Sequence, residues 1–421
     1  MNYWILAILP ALLVLGVPVA FVLLVGSVLM MSFGASVPWV ALAQTLYNTL
    51  DLFALLVVPF FLFVGDIMSA GSMSRRITDW VVSMFGTIPG ARGYTTVGAS
   101  TAFGAISGSS IATVFTMSKL MYPELKDRYG ERFSSGLIAS TGAIDILIPP
   151  SVHMILFALV AQVSIIQLFT AGILPGLLLS ALTCVYIWCH VRYNKIDDTG
   201  VPFSWQSFLT SSRQGFWALT TPVVIFAGIY GGVFSPTEAA AVTSAYCVLV
   251  ACVIYRDVSW RDLVSIATTS VKTSGQILLL IAVSGLFSWL LTINGVANSI
   301  MEFARVNIVD TWAVLLGINV LLLVVGCFVD PISAILILTP LMVPIAQAFD
   351  INLIHLGVIV CLNLGIGMFH PPFGLNLFAT QAALKVSLDD LYMGIIPFVG
   401  VALAALVIVT YVPWFSLALL K

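Results

Sequence analysis

The chain has 421 residues, 60% of them apolar, with 16 Lys and Arg against 18 Asp and Glu and a formal net charge of −2. Charged residues make up 8%, where a soluble domain carries about 25%, and mean hydropathy is +1.11. So little polar surface cannot coat a soluble particle, and no basic field exists to attract nucleic acid. A soluble enzyme, a nucleic-acid binder and a disordered scaffold are excluded, leaving a polytopic membrane protein. Its 26 Phe, 10 Trp and 12 Tyr suit lipid contact and interfacial belts.

Taken in chain order, apolar blocks of about 20 residues each predict spanning helices. They lie near 4–33, 52–70, 133–160, 166–191, 216–234, 236–255, 275–293, 312–326, 352–377 and 391–415. The first has no basic residue before it and is longer than a signal-peptide core, so it reads as a retained helix. Shorter stretches near 38–50, 73–86 and 296–306 suit the membrane interface. Charges gather between these blocks, most densely from Lys119 to Arg132, and the long polar connection 192–215 carries Arg192, Lys195, Asp197, Asp198 and Arg213.

Two blocks do not fit simple spans. The stretch 94–121 holds A-I-S-G-S-S-I-A-T (105–113) at its middle, and its arms, about 14 residues each, are short for a crossing of about 30 Å. Basic residues on both flanks, Arg92 and Lys119 through Arg132, describe a re-entrant hairpin that leaves and returns on one side. The stretch 312–347 is built alike around G-C-F-V-D-P-I-S-A (326–334), with Asp310 and Asp350 on its flanks and no basic residue there. Irregular backbone at membrane depth is tolerated only where it is buried in protein or lines a cavity.

The two halves of the chain match. L-M-Y-P (120–123) returns as L-M-V-P (341–344), I-P-P-S (148–151) as H-P-P-F (370–373), V-S-I-I-Q-L (163–168) as V-S-L-D-D-L (386–391), and A-G-I-L-P-G (171–176) as M-G-I-I-P-F (393–398). The offset is nearly constant. The reading is two repeats, 1–191 (hairpin 94–121, broken helix 133–160) and 216–421 (hairpin 312–347, broken helix 352–377), joined by 192–215. The basic flank places the first hairpin's entry on the cytoplasmic side, and its absence places the second on the opposite side. Inverted repeats with discontinuous helices are the architecture of secondary transporters, with the site near the midplane.

Each repeat offers two irregular elements, the hairpin tip and the Pro-Pro break. A proline has no N–H, so the carbonyl four residues earlier loses its partner. Pro149 and Pro150 release the carbonyls of Asp145 and Ile146, and Pro371 and Pro372 those of Gly367 and Met368. Carbonyls with hydroxyls are hard ligands suited to Na⁺, and half-helix N-termini suit a carboxylate. One cation site per repeat is expected, with an anionic solute between the tips at Ser107, Gly108, Ser109, Ser151, Ser333 and Asn376. Asp330 and Asp145, acids amid apolar residues, are functional by default. Asp51 and Asp66 lie nearer helix ends and are read as solvated, Asp66 beside Arg75 and Arg76; Glu238 after S-P-T reads as a helix-opening residue. The cysteines sit in apolar runs without C-x-x-C and read as buried small hydrophobes. The four histidines show no metal-ligand spacing.

In this order, A-I-S-G-S-S-I-A-T, I-L-I-P-P-S, F-S-P-T-E-A-A-A (234–241), G-C-F-V-D and H-P-P-F-G-L-N-L-F (370–378) resemble the large membrane subunit of TRAP transporters, from about Leu6 to Val412. The resemblance implies a tripartite ATP-independent transporter of the bacterial cytoplasmic membrane, working as an elevator with both hairpins in its moving domain. It implies coupling to about two Na⁺ ions, a four-helix small subunit as a separate polypeptide, and a periplasmic binding protein that delivers the solute. It points to Ser107, Ser110, Gly142, Asp145 and Pro149 for one ion, and to Gly326, Asp330, Gly367 and Met368 for the other. Family solutes are mostly organic acids such as C4-dicarboxylates, sialic acids and sulfonates. No Arg or Lys lies inside either site motif, so the sequence does not choose among them.

Two other functions compete. An intramembrane protease would pair Ser109 with His153 or His370, but G-x-S-G and H-E-x-x-H are absent and the repeats would go unexplained. A dicarboxylate symporter that needs no binding protein, built on a similar plan, is separated only weakly by sequence.

Overall fold

The computed structural model describes residues 4–33, 37–85, 88–196, 202–307 and 310–420. All regular elements among them are helices. The first half runs α1 (Trp4–Val14), α2 (Val19–Phe33), α3 (Val40–Leu50), α4 (Val57–Ala70, entered through a 3-10 turn, Phe53–Leu56), α5 (Met73–Met84), α6 (Ala91–Ser107), α7 (Ser110–Leu120), α8 (Tyr122–Leu147), α9 (Val152–Ala161) and α10 (Ile165–Tyr193). The second runs α11 (Trp205–Tyr230), α12 (Pro236–Val248, prolonged by a π turn, Leu249–Ile254), α13 (Trp260–Ile293), α14 (Val296–Asn307), α15 (Thr311–Gly326), α16 (Pro331–Ala348), α17 (Leu353–Gly367), α18 (Leu375–Leu384), α19 (Leu388–Tyr411) and the short α20 (Trp414–Leu417). Six of the described helices are long and apolar enough to cross a membrane, and α8 with α9, bent by 41°, adds a broken span.

Local chemistry sets many of the boundaries. Ser235 with Glu238 and Ser259 with Asp262 form capping boxes at the starts of α12 and α13, each satisfying two amides that have no intrahelical partner. Glu238 is thus the helix-opening residue that S-P-T-E predicts. Ser164 opens α10 and Ser387 opens α19, each accepting from the amide three residues on. These two serines occupy matched places in the two halves, as do Gln162 and Lys385, which close α9 and α18 at φ 55° and 56°.

Four boundaries differ from the sequence reading. The apolar block 4–33 is two helices, because Gly16 at φ 77° turns the chain and Pro18 follows it. The polar connection 192–215 is already helical from Trp205. That end of α11 packs on α5, with Trp80 Nε1 donating to Ser212 Oγ (3.0 Å) and Arg76 Nη1 to the Gln214 carbonyl (3.1 Å). Residues 197–201 of the connection, including Asp197 and Asp198, lie outside the described residues. Helix α13 starts at Trp260 rather than near 275, and in its largely exposed first half Ser270 and Ser274 are buried. The charged stretch before residue 133 also belongs to α8, which kinks at Gly130 (φ 79°). The cysteine reading needs correction too, since Cys189 is exposed and Cys184 and Cys252 only half-buried.

Buried side chains form one large core around both hairpins and α8–α10 and α17–α19, and two smaller ones, between α1, α2 and α13 and between α4, α5, α11 and α12. In lipid, helices associate through close packing of small residues. At the crossing of α8 and α19, a Cβ on Gly136 would collide with the Gly394 carbonyl and one on Gly394 with the Arg132 carbonyl.

Candidate functional site

Helices α6 and α7 form the first hairpin, α15 and α16 the second. Each lies against the α17 or α8 of its own half, but the inner arms cross over. Helix α7 packs on α18 of the second half, and α16 packs on α9 of the first. Both Pro-Pro pairs are cis.

The first tip turns at Gly108, φ 56°, where a Cβ would sit 3.2 Å from the Pro150 carbonyl oxygen. Ser109 caps α7, its Oγ accepting from the Ala112 amide at 3.4 Å. The side chain of Ser107 lies outside the described residues. Directly after Ser109, Ser110 is buried and meets Asn376 of α18, whose Nδ2 donates to Ser110 Oγ at 2.8 Å and to the Ala139 carbonyl at 3.3 Å. Gly142 completes this contact. A Cβ there would lie 2.5 Å from Ser110 Oγ and 2.6 Å from Asn376 Nδ2, so only glycine lets the three elements close. Asn376, expected beside the solute, is instead tied to the residues expected around the first ion.

Asp145 follows on the same face of α8. It is fully buried, Thr113 of α7 donates to its Oδ2, and its Oδ1 has no protein partner. Oδ1 lies against Gly104 of α6, where a Cβ would strike it. A buried carboxylate oxygen without a donor is costly, and a hard monovalent cation fits this chemistry. Pro149 sits beyond it at the break.

The second cluster is built on glycine contact. A Cβ on Gly367 would be 2.7 Å from the backbone of Gly326, so the end of α15 and the end of α17 touch main chain to main chain. Asp330 caps α16 by accepting from the Ser333 amide at 3.0 Å. A cavity of about 40 Å³ lies between tip and break, lined by Gly326, Cys327, Asp330, Pro331, Met368 and Leu375 among others, large enough for one small ion or water. The Met368 carbonyl is not free as the missing proline amide implies, because the Asn376 amide, beyond the break, donates to it at 2.7 Å.

Both tips converge on the start of α9. Gly108 abuts Pro150, and α16, which Asp330 opens, packs on α9. Ser151 and His153 are buried there, with Ser151 Oγ and His153 Nδ1 lacking protein partners. Ser333 and Asp330 also face a larger cavity of about 840 Å³ bounded by the α1–α2 break and by Gln276 and Leu280 of α13. Asp66 is not a surface acid. Ser270 Oγ of α13 donates to its Oδ2 at 2.5 Å, while Arg76 is engaged by Ser72, Gln214 and the Tyr255 ring.

Gly104 and Thr113 were missed in the sequence reading, and His153 entered it only as the base of a competing protease. Thr113 ends the quoted first-hairpin motif, and its distance from Asp145 along the chain concealed the pairing. Among the described residues no three His, Cys, Asp or Glu gather into a metal-binding group.

These features define a multi-pass helical membrane protein with two hairpins meeting two broken helices. Its fold resembles that of the YdaH transporter of Alcanivorax borkumensis, with a TM-score of 0.67 over 97% of this chain and 99% of that one, at 13% identity. Residues 6–415 match the tripartite ATP-independent periplasmic transporter family, DctM component, and the chain belongs to that family. It is 37% identical over 381 residues to the C4-dicarboxylate TRAP transporter large permease protein of Pseudomonas aeruginosa, covering 90% of this chain and 89% of that one. It is 34% identical over 402 residues to the isethionate TRAP transporter permease protein DctMQ of Oleidesulfovibrio alaskensis, covering 95% of this chain and 63% of that protein, less than two thirds of its length. These relatives are transporter permeases.

Proposed function

We propose that the chain is the transport subunit of a sodium-coupled TRAP transporter that moves an organic acid across the bacterial cytoplasmic membrane. The observation that carries this reading is the exchange at the centre, where α7 packs on α18 and α16 on α9. It joins each hairpin to the other half's broken helix, a reciprocal arrangement that supports two repeats related by a two-fold axis. The first ion is assigned to the orphaned Oδ1 of Asp145 with the neighbouring carbonyls and Ser110. The second is assigned to the cavity of about 40 Å³ lined by Gly326, Asp330 and Met368, with Gly367 against Gly326. The solute is assigned to the start of α9, where Ser151 and His153 hold unpartnered polar atoms that a carboxylate or sulfonate can engage. An elevator in which both hairpins and both broken helices move together is part of this proposal. A small membrane subunit and a periplasmic binding protein complete the assembly.

Uptake in proteoliposomes is expected to require an inward Na⁺ gradient and the binding protein. Full uptake with K⁺ and a proton gradient alone would overturn the sodium assignment. A second expectation concerns orientation. Cysteines introduced by Ser109→Cys and Ser333→Cys should react with impermeant maleimides from opposite sides of the membrane, to an extent that changes with Na⁺ and solute. Labelling of both from one side under every condition defeats the inverted arrangement.

A further inference from the structure

The second hairpin tip holds a side-chain pair that the transport reading does not use. Cys327, 6% exposed, places its Sγ 3.2 Å from His370 Nδ1 and 3.7 Å from the Pro371 carbonyl oxygen. Cys327 belongs to the turn between α15 and α16, His370 and Pro371 to the break between α17 and α18. Beside them Phe328 and Phe373 join the same two segments, ring centroids 5.6 Å apart, and both rings are more than half exposed. The pair therefore lies close to the surface.

A thiolate and a neutral imidazole are the ligands that thiophilic cations select. Bonds of about 2.3 Å to sulfur and about 2.0–2.1 Å to nitrogen, at a tetrahedral angle, put the two atoms about 3.5 Å apart. The observed pair needs to open by only a few tenths of an ångström. Solvent beside the two exposed rings can complete the coordination. With no third His, Cys, Asp or Glu gathered there among the described residues, the arrangement suits reversible binding, since closed structural zinc sites use four protein ligands.

We propose that Cys327 and His370 form a binding site for a thiophilic divalent cation, with Zn²⁺ as its probe, which staples the second hairpin to the second broken helix. On binding, the thiol proton passes to solvent, the sulfur and Nδ1 lone pairs bond to the ion, and nothing is oxidised or reduced. Restraint of uptake by the staple rests on the proposed transport function; the binding itself does not, and so binding is what the experiment reads.

The full chain, purified in detergent, is titrated with Zn²⁺ against a competing fluorescent chelator. Alkylation of each cysteine by N-ethylmaleimide is followed by peptide mass spectrometry. One Zn²⁺ per chain should bind and should protect Cys327, but not the exposed Cys189, in a manner reversed by chelator. Cys327→Ser and His370→Gln should each weaken binding by about a hundredfold or more, beyond the 10–100-fold that loss of an outer-shell partner costs; Cys189→Ser should not. Equal alkylation of Cys327 with and without Zn²⁺ overturns the proposal. So does unchanged affinity in both variants, which marks an adventitious ion only. Should a variant fail to fold, protection in the unaltered chain decides.

Discussion

Asp330→Asn is expected to raise the Na⁺ concentration for half-maximal uptake by about ten- to a hundredfold, or to abolish uptake, while membrane insertion is kept. The expectation rests on the assignment of the second ion to the cavity that Asp330 lines. A hydrogen bond or contact to a charged group contributes about 1.5–3 kcal/mol, and each 1.4 kcal/mol is a factor of about ten in affinity. The substitution is informative because Asn caps a helix about as well as Asp. The Ser333 amide keeps its acceptor, so α16 still begins where it does, and only the charge is removed. Asp66→Asn is the comparison. Its carboxylate receives the Ser270 hydroxyl between α4 and α13, away from both breaks, and the amide oxygen of Asn can receive the same bond. Initial uptake measured against Na⁺ at matched membrane expression separates the two. Wild-type sodium dependence in Asp330→Asn, or the larger defect in Asp66→Asn, would remove Asp330 from the site.

Gly367→Ala should damage the second site directly. Its Cβ would stand 2.7 Å from the Cα, C and O of Gly326, and backbone cannot swing aside as a side-chain end can. Either the tip of the second hairpin lifts off the broken helix or α17 shifts. Overpacking of this kind costs about 1–3 kcal/mol, and the displaced cavity should lose its ion. Lower thermal stability in detergent and lost sodium-dependent uptake are both expected. Gly317→Ala, on α15 of the same hairpin, has nothing within 4 Å of the added carbon and should leave uptake intact, with helix propensity favouring it by up to about 1 kcal/mol. Equal behaviour of the two variants would show that the glycine contact does not position the tip.

Zinc binding at Cys327 and His370 draws on the same pair of segments but on side chains instead of backbone. Gly367→Ala is therefore expected to disturb it as well, through the separation of tip and break.

The sequence by itself determined the class of protein, because lipid leaves composition no freedom. With 8% charged residues the chain belongs in a membrane, and its apolar runs of about 20 residues select helices over a barrel. It also marked both hairpins and both Pro-Pro breaks, since glycine, proline and hydroxyl residues at membrane depth stand out against apolar runs. Helix starts were legible where one residue and its third neighbour satisfy the amides, as in Ser235 with Glu238. Polar stretches that find protein partners were not. The start of α11 and the first half of α13 read as loop, because the sequence does not show that Ser212 meets Trp80 or that Ser270 meets Asp66. The same reason governs the site. Asp145 could be picked out as an expensive acid, but only tertiary packing brings Thr113 to one of its oxygens and leaves the other bare. Asn376 was placed with the solute from its own motif, whereas the crossing of α18 over α7 delivers it to Ser110 in the other half of the chain. Hydrogen bonds act over about 3 Å, and which groups separated by hundreds of residues come within that reach is decided by helix packing alone.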